Sequence, residues 1–477
     1  MTTSIADTDR KRYLPWVVAT VMFMETLDAT IVNTAVPSMA ASLHVAPLSL
    51  KAVVASYILS LAVCIPISGW LADRFGTRRV FFSAVAVFTF ASLLCGLSLN
   101  VPMLVAARLL QGLGAAMMMP VGRLTIIRTF GKAQLLSAMN FVVMPALVGP
   151  LLGPTVGGLI VHVASWRYVF LVNLPVGLAA LALIWRYLPD YKGDAPRPLD
   201  TVGFVLFGAG VALLSWLLEV FGEHRLDATS TGVLFVLSIG LLLAYGLHAR
   251  RAPYPLLRLS LFSVRTFRVS VLGGFATRIG LGGMPFLLPL LYQLGMGMPA
   301  WQSGLMLMPS AAAAITMKTA TKPLLARFGY RRVLIVNTML IGVAISLFST
   351  IGPGTPIAMI VPLALAMGFF NSMQFSAMNS LAYADIEGPD TSMASTIASS
   401  LQQLSMSFGL AAGSLVAGWF LDGLPQKDQA LVTDALHHAF LALAVITVAS
   451  SLAFWKLKQN DGEAVSRGTE KLVEQSS

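Results

Sequence analysis

Two carboxyl groups and two guanidinium groups stand inside apolar stretches of this chain, where their types and spacing point to chemistry. Glu25 and Asp28 lie three residues apart in the run 13–37, so a helix places them on one face. A carboxyl group at membrane depth is costly unless it meets water or a partner, which makes it a candidate for carrying a proton or holding a ligand. A structural pair near the membrane surface is the plainer alternative. It suits Glu25 better than Asp28, which sits mid-run. Arg108 and Gln111 repeat the three-residue spacing in Leu104–Ala116, with Gly112 and Gly114 beside them. An Arg this deep needs a counter-charge or a polar cavity, and the glycines permit close helix contact. Arg278 is well inside another apolar run, where a snorkelling side chain is the competing reading. Asn33, Asn371, Gln374, Asn379, Gln402 and Gln403 are polar residues in apolar runs. They line a cavity or bond between helices, and spacing alone does not separate the two.

The elements that carry these residues follow from composition. The chain has 477 residues, 56% hydrophobic and only 11% charged, against roughly a quarter charged in soluble proteins. A polytopic membrane protein is the class this implies. The net charge of +11 does not indicate nucleic acid, because the Lys and Arg are spread over short connections between apolar runs. Runs of about 20 apolar residues or more fall near 13–37, 50–71, 79–99, 102–127, 136–161, 166–188, 201–221, 230–249, 267–294, 302–324, 332–351, 356–384, 392–421 and 434–456. The fold expected is all-α, with about fourteen transmembrane helices. The first run is too long for a signal-peptide core and contains Glu25 and Asp28, so it is expected to be retained. Cys64 and Cys95 both sit in apolar runs and imply no disulfide framework.

Between the second and third runs, Gly69–Val80 reads as a short charged loop holding Gly69, Asp73, Arg74, Gly76, Arg78 and Arg79. A weaker copy lies at Lys322–Val333. Arg327, Phe328, Gly329, Arg331, Arg332 and Val333 repeat Arg74, Phe75, Gly76, Arg78, Arg79 and Val80 at a constant offset of 253 residues. Ala326 replaces Asp73, so the acid is present only in the first copy. Two copies imply two related halves. The offset exceeds six helices, and the excess fits two extra helices near 201–221 and 230–249. The expected organisation is a cytoplasmic N-terminus (1–12), a six-helix half (13–188), a linker with the two extra helices (189–260), a second six-helix half (261–456) and a polar, disordered cytoplasmic tail (457–477). The same offset maps Arg278 onto Glu25, which would set the two facing each other across a pseudo-twofold axis. Alternate connections are rich in Lys and Arg, which predicts both termini in the cytoplasm. Asp385–Asp390 breaks that rule, with three acids and no base.

The fifth run contains Gly149, Pro150, Gly153, Pro154, Gly157 and Gly158. The prolines remove helix donors and the glycines make a face for close packing. Trp166–Gly177 opens the sixth run; an interfacial aromatic anchor with an Arg at a helix end accounts for it physically. No Walker loop, metal-ligand spacing or nucleophile elbow is present, so an ATP-driven pump and a membrane hydrolase are disfavoured and no cofactor or metal is expected.

These motifs together carry a family resemblance. Gly69–Val80 resembles the loop between helices 2 and 3 of major facilitator superfamily transporters. Leu27–Pro37 resembles the helix 1 motif of the fourteen-helix drug:proton antiporters of that superfamily (the EmrB/QacA type). Arg108–Gly114 is similar to the superfamily's helix 4 motif, and Gly149–Gly158 to the helix 5 motif of its antiporters. A narrower likeness, carried by Phe141–Gly158, Leu247–Arg251 and Gln374–Asn379, is to multidrug exporters of bacterial inner membranes. The resemblance implies a monomeric, non-enzymatic, multi-pass protein of the inner membrane that exports small molecules by alternating access in exchange for protons. It implies that Asp28, Arg108 and Glu25 couple protons, with Arg108 acting on a nearby carboxylate. It also implies that Asp73 fastens the cytoplasmic ends of the halves. Arg278, Gln111, Asn33, Asn371 and Gln374 are the candidates to line the substrate cavity. Export of an organic acid or metal chelate is the alternative, and a non-transporting sensor a third. Two acids balanced by two arginines predict a preference for neutral or anionic compounds over permanent cations.

Overall fold

Apolar segments of membrane length must satisfy every backbone N–H and C=O internally, which leaves the helix as the local answer. The computed structural model describes residues 2–130, 132–193, 198–221, 228–386, 390–421 and 428–463, and among them there are fourteen long helical segments and no strand. They are α1 (Thr2–Leu43), α2 (Lys51–Phe75), α3 (Thr77–Gly96), α4 (Val101–Thr129), α5 (Lys132–Val163), α6 (Tyr168–Leu171 continued by Asn173–Tyr187), α7 (Thr201–Phe221) and α8 (Ala228–Arg251). Then come α9 (Arg265–Leu281, continued by Met284–Leu290 and a π turn at Leu291–Gly295), α10 and α11 (Ala300–Leu347, divided at Gly329), α12 (Ile357–Ala382), α13 (Thr391–Leu421) and α14 (Gln429–Ser450). Among the described residues, eleven helices are long and apolar enough to cross a membrane, and Val148–Val163 and Thr201–Leu217 are shorter apolar helices. The count matches the fourteen apolar runs. α1 starts at Thr2, eleven residues ahead of its expected start.

The breaks have local causes. Pro175 lacks a backbone N–H and its ring opposes the carbonyl four residues back, and α6 is interrupted at Val172 accordingly. The expected loop at 69–80 is almost absent. Gly69–Phe75 belongs to α2, and only Gly76 separates it from α3. Gly76 adopts φ 98°, its N–H closes α2 on the Ala72 carbonyl at 2.9 Å, and its carbonyl opens α3 by accepting from Val80 N at 3.1 Å. A residue with a Cβ is strained at that φ. Gly329, with φ 74°, does the same between α10 and α11.

The described chain forms two compact units. The first holds the residues up to Ala212 with Ala252–Leu256 and Pro299–Gly304; the second holds Leu213–Arg251, Leu257–Met298 and the residues from Leu305 on. In the first unit α1 packs most extensively on α5, with α2 and α3 both on α4. Three glycines make the α1–α5 approach possible. A Cβ on Gly149, Gly153 or Gly157 would stand 2.2 Å from Thr26 Oγ1, 2.0 Å from Thr30 Oγ1 and 2.4 Å from the Ile31 carbonyl, respectively. The two threonine hydroxyls donate back to their own helix, to the Met22 and Thr26 carbonyls at 2.9 and 3.1 Å, so the seam keeps no orphaned hydroxyl. In the second unit α9 packs on α13 in the same way, with Gly282 and Gly283 against Gly409 and Gly413.

The acidic segment Asp385–Asp390 finds its reason in the second unit. Asp390 pairs with Arg258, and Asp385 accepts from Thr266 Oγ1 at 2.8 Å. The acids of that segment are therefore spent on the basic stretch Arg250–Arg268. Glu387 lies outside the described residues.

Candidate functional site

Each threonine of the α1 seam is about half a helical turn away from Asp28, so packing α1 on α5 turns the acid to the other side. Asp28 is fully buried there. α4 presents Arg108 and Gln111 to it, because Gly112 and Gly114 let neighbouring backbones come close: a Cβ on each would stand 2.6 Å from the Tyr57 carbonyl and 2.7 Å from the Ala84 carbonyl. α6 contributes Asn173, the first residue after its interruption.

The four side chains form one network. Arg108 Nη1 donates to Asp28 Oδ2 at 2.7 Å and to Gln111 Oε1 at 2.6 Å, while Arg108 Nε donates to the Val53 carbonyl at 3.2 Å. Asp28 Oδ1 accepts from Gln111 Nε2 at 2.9 Å and from Asn173 Nδ2 at 2.7 Å. Gln111 Nε2 also donates to Ser92 Oγ at 2.8 Å. The guanidinium lies over the Tyr57 ring, 4.2 Å from its centroid. With three donors on its two oxygens, the group is recognised as a carboxylate, and charge-assisted bonds of this kind are the strong ones. Removing one partner of a buried pair costs about 3–5 kcal/mol.

Asp28 and Arg108 are thus brought together, and Gln111, expected to line the substrate cavity, is fully buried in the same network. Asn173, Ser92 and Tyr57 were missed as members. The available signal was an amide within an apolar helix, which needs a partner. Glu25 is buried but outside the network, and its Oε2 has no hydrogen-bond partner. Asn33 is also buried, with Oδ1 unpartnered. So is the Nε atom of Arg123 on α4, a residue the sequence reading passed over.

The other candidates lie elsewhere. Arg278, in the second unit, sits over the Phe375 ring at 5.7 Å and has no carboxylate within ion-pair distance among the described residues. Gln374 joins α11 to α12: its Nε2 donates to Thr338 Oγ1 at 2.8 Å and its Oε1 accepts from Asn337 Nδ2 at 2.9 Å. Asn371 is exposed. At the α2–α3 joint, Asp73 pairs with Arg128 at 2.8 Å within the same unit, Arg78 lies over Trp185, and Arg74 and Arg79 are exposed. Gly69 is exposed too, with open space where a Cβ would stand. On α5, Pro150 faces outward, while Pro154 and Gly158 lie against Gly304 and Ala300 at the start of α10.

The sequence model described as Major Facilitator Superfamily matches residues 18–409. The chain belongs to this superfamily. It is therefore a multi-pass membrane transport protein and not an enzyme. Within the superfamily it is similar to MdtD of Pectobacterium atrosepticum, which carries the provisional name of multidrug resistance protein. The two are 40% identical over 445 residues, covering 93% of this chain and 95% of the relative. MdtD of Salmonella paratyphi B is 39% identical over 450 residues, covering 94% and 95%. Solved transporter structures share the fold at low identity. The nucleoside transporter NupG aligns with a TM-score of 0.67 and 13% identity over 93% of this chain and all of its own. A bacterial homologue of the lysosomal transporter Spinster aligns with 0.65 and 14% over 97% and 98%.

Proposed function

We propose that this protein exports small toxic molecules, drugs among them, across the bacterial inner membrane in exchange for protons, by alternating access, as a monomer with both termini in the cytoplasm. The multidrug resistance names of its MdtD relatives support the cargo. The observation that carries the coupling is the buried Asp28–Arg108 pair.

Asp28 is the proton carrier and Arg108 the proton's competitor. Ionised, the carboxylate accepts from Arg108, Gln111 and Asn173. A proton on either oxygen converts an acceptor into a donor and removes the charge attraction. Arg108 then retains two acceptors, Gln111 Oε1 and the Val53 carbonyl, so it is not stranded when Asp28 leaves. That makes the pair a two-state element: closed when ionised, free to separate when protonated. Glu25, one helical turn away with an unpartnered oxygen, serves as the second carboxyl on the proton's route. A cargo of organic acids or metal chelates is the second reading, favoured by the unpaired Arg278 guanidinium.

Substrate-induced proton release from the purified protein, screened across cations and anions, tests the proposal. Asp28→Asn is expected to insert normally, to lose gradient-driven efflux and to keep substrate exchange in the absence of a gradient. Wild-type proton dependence in this variant removes Asp28 from the coupling role.

A further inference from the structure

The two copies of the repeated joint differ in where their counter-charge comes from. In the first, the chain leaving α6 folds back over the α2–α3 joint. Thr77 N donates to the Tyr191 carbonyl at 2.9 Å, Gly193 N to the Asp73 carbonyl at 3.0 Å, and Arg78 N to Asp190 Oδ1 at 3.1 Å. A carboxylate of the chain itself thus occupies the start of α3, beside Arg78. In the second copy the chain leaving α14 lies over the α10–α11 joint in the same manner. The Gln459 carbonyl is 3.6 Å from where a Cβ on Gly329 would stand, and Gly462 covers the Tyr330 ring. Its acid, however, is committed elsewhere: Asp461 accepts from Arg265 Nη2 at 2.5 Å, from Arg265 Nε at 3.1 Å and from Lys458 N at 2.8 Å.

What remains at the second joint is a cavity of about 440 Å³ lined by Arg327, Arg331, Arg332, Trp455, Asn460 and Glu463 among others. None of the three arginines has a carboxylate within ion-pair distance among the described residues. Arg331 and Arg332 fall in the first turn of α11, the positive end of a helix dipole, where basic side chains are disfavoured unless an anion joins them. The cavity lies where α10 ends, α11 begins and α14 has just ended, which is the level of lipid headgroups for helices that span the bilayer. Phe328 and Trp455 are 47% and 57% exposed at its mouth, as interfacial aromatics are.

We infer that this cavity binds the phosphate group of an anionic phospholipid, which supplies at the second joint the negative charge that Asp190 supplies at the first. The arginines take the phosphate oxygens, Asn460 offers an amide donor, and Phe328 and Trp455 flank the start of the acyl chains. The site involves none of the residues assigned to proton coupling, so it stands or falls independently of the transport mechanism.

Native mass spectrometry of the purified full-length protein, exchanged into nanodiscs of phosphatidylglycerol or of phosphatidylcholine, provides the test. Tight retention of phosphatidylglycerol over phosphatidylcholine is expected. At about 1 kcal/mol per surface Arg, Arg331→Gln/Arg332→Gln should weaken retention about thirtyfold, while Arg78→Gln/Arg79→Gln leaves it unchanged. Asn460→Asp gives a check that does not remove any arginine: it adds a second carboxylate beside Glu463 in the cavity and should weaken retention of the lipid in the same assay. Equal retention of both lipids, or retention unmoved by N460D and by R331Q/R332Q, overturns the inference. A thermal shift with inorganic phosphate that phosphatidylglycerol does not abolish overturns the lipid as the source and leaves a soluble phosphate ligand.

Discussion

Asp28 and Arg108 cancel each other's charge within one unit, which changes what the remaining ionisable groups offer a substrate. Among the described residues, Glu25 keeps an unpartnered oxygen and Arg278 an unpaired guanidinium. In the proton-coupled cycle proposed above, protonating a carboxyl group would leave the arginines in excess. A permanent cation would then lack the counter-charge its desolvation requires. In inverted vesicles, uptake of a carboxylate substrate should fall in Arg278→Ala by about tenfold, the scale of one lost charge-assisted bond. Uptake of an ethidium-like cation should be weak and little affected. Robust cation transport unchanged by the substitution contradicts the charge argument. Much of this site was legible in the sequence, because ionisable residues in apolar runs are rare and their three-residue spacing fixes a shared face. Asn173 was not, since the aromatic anchor and Arg of its segment already accounted for that stretch, and an amide announces no partner. The contrast between Asp28, bonded at both oxygens, and Glu25, whose Oε2 is buried without a partner, also lies beyond any spacing rule, because it depends on which helices pack around α1.

At the scale of elements, the α1–α5 seam carries the clearest stability expectation. Gly153→Ala would place a methyl 2.0 Å from Thr30 Oγ1. Overpacking of this kind costs about 1–3 kcal/mol, to be read as a lower unfolding temperature in detergent. Thr30→Ala should restore part of the loss in the double variant, because it removes the nearest atom and leaves the Thr30 Cβ at 3.0 Å. No rescue would mean that the seam is not limited at Thr30. Apart from α1, the helices themselves were legible to within a few residues from hydropathy. The joints were less so. Arg74, Arg78 and Arg79 suggested a loop, yet long basic side chains reach water from helix ends, so charge density overstates loop length. A single glycine is enough where the backbone turns at positive φ.

For the whole molecule, the fourteen-helix count makes a prediction about sidedness. Reporters fused after Pro189 and after Lys458 should read as cytoplasmic, and one placed within Glu223–Asp227, a segment outside the described residues, should read as external. A cytoplasmic signal at Glu223–Asp227 contradicts the count. The charge alternation behind this expectation was legible because it needs only the residues between runs. The place where the two units divide, inside α7, was not, because it depends on contacts. The one-residue joints have a further consequence for the life of the protein in the cell. Clusters of arginine at a membrane surface are what trypsin-like proteases seek, and they cut where several residues can be drawn out into an extended strand. At Gly76 and Gly329 the arginines stand on helical turns with a single residue between the helices and a returning segment laid over each joint. The most basic stretches of the chain are thereby also among those that offer a protease the least to hold.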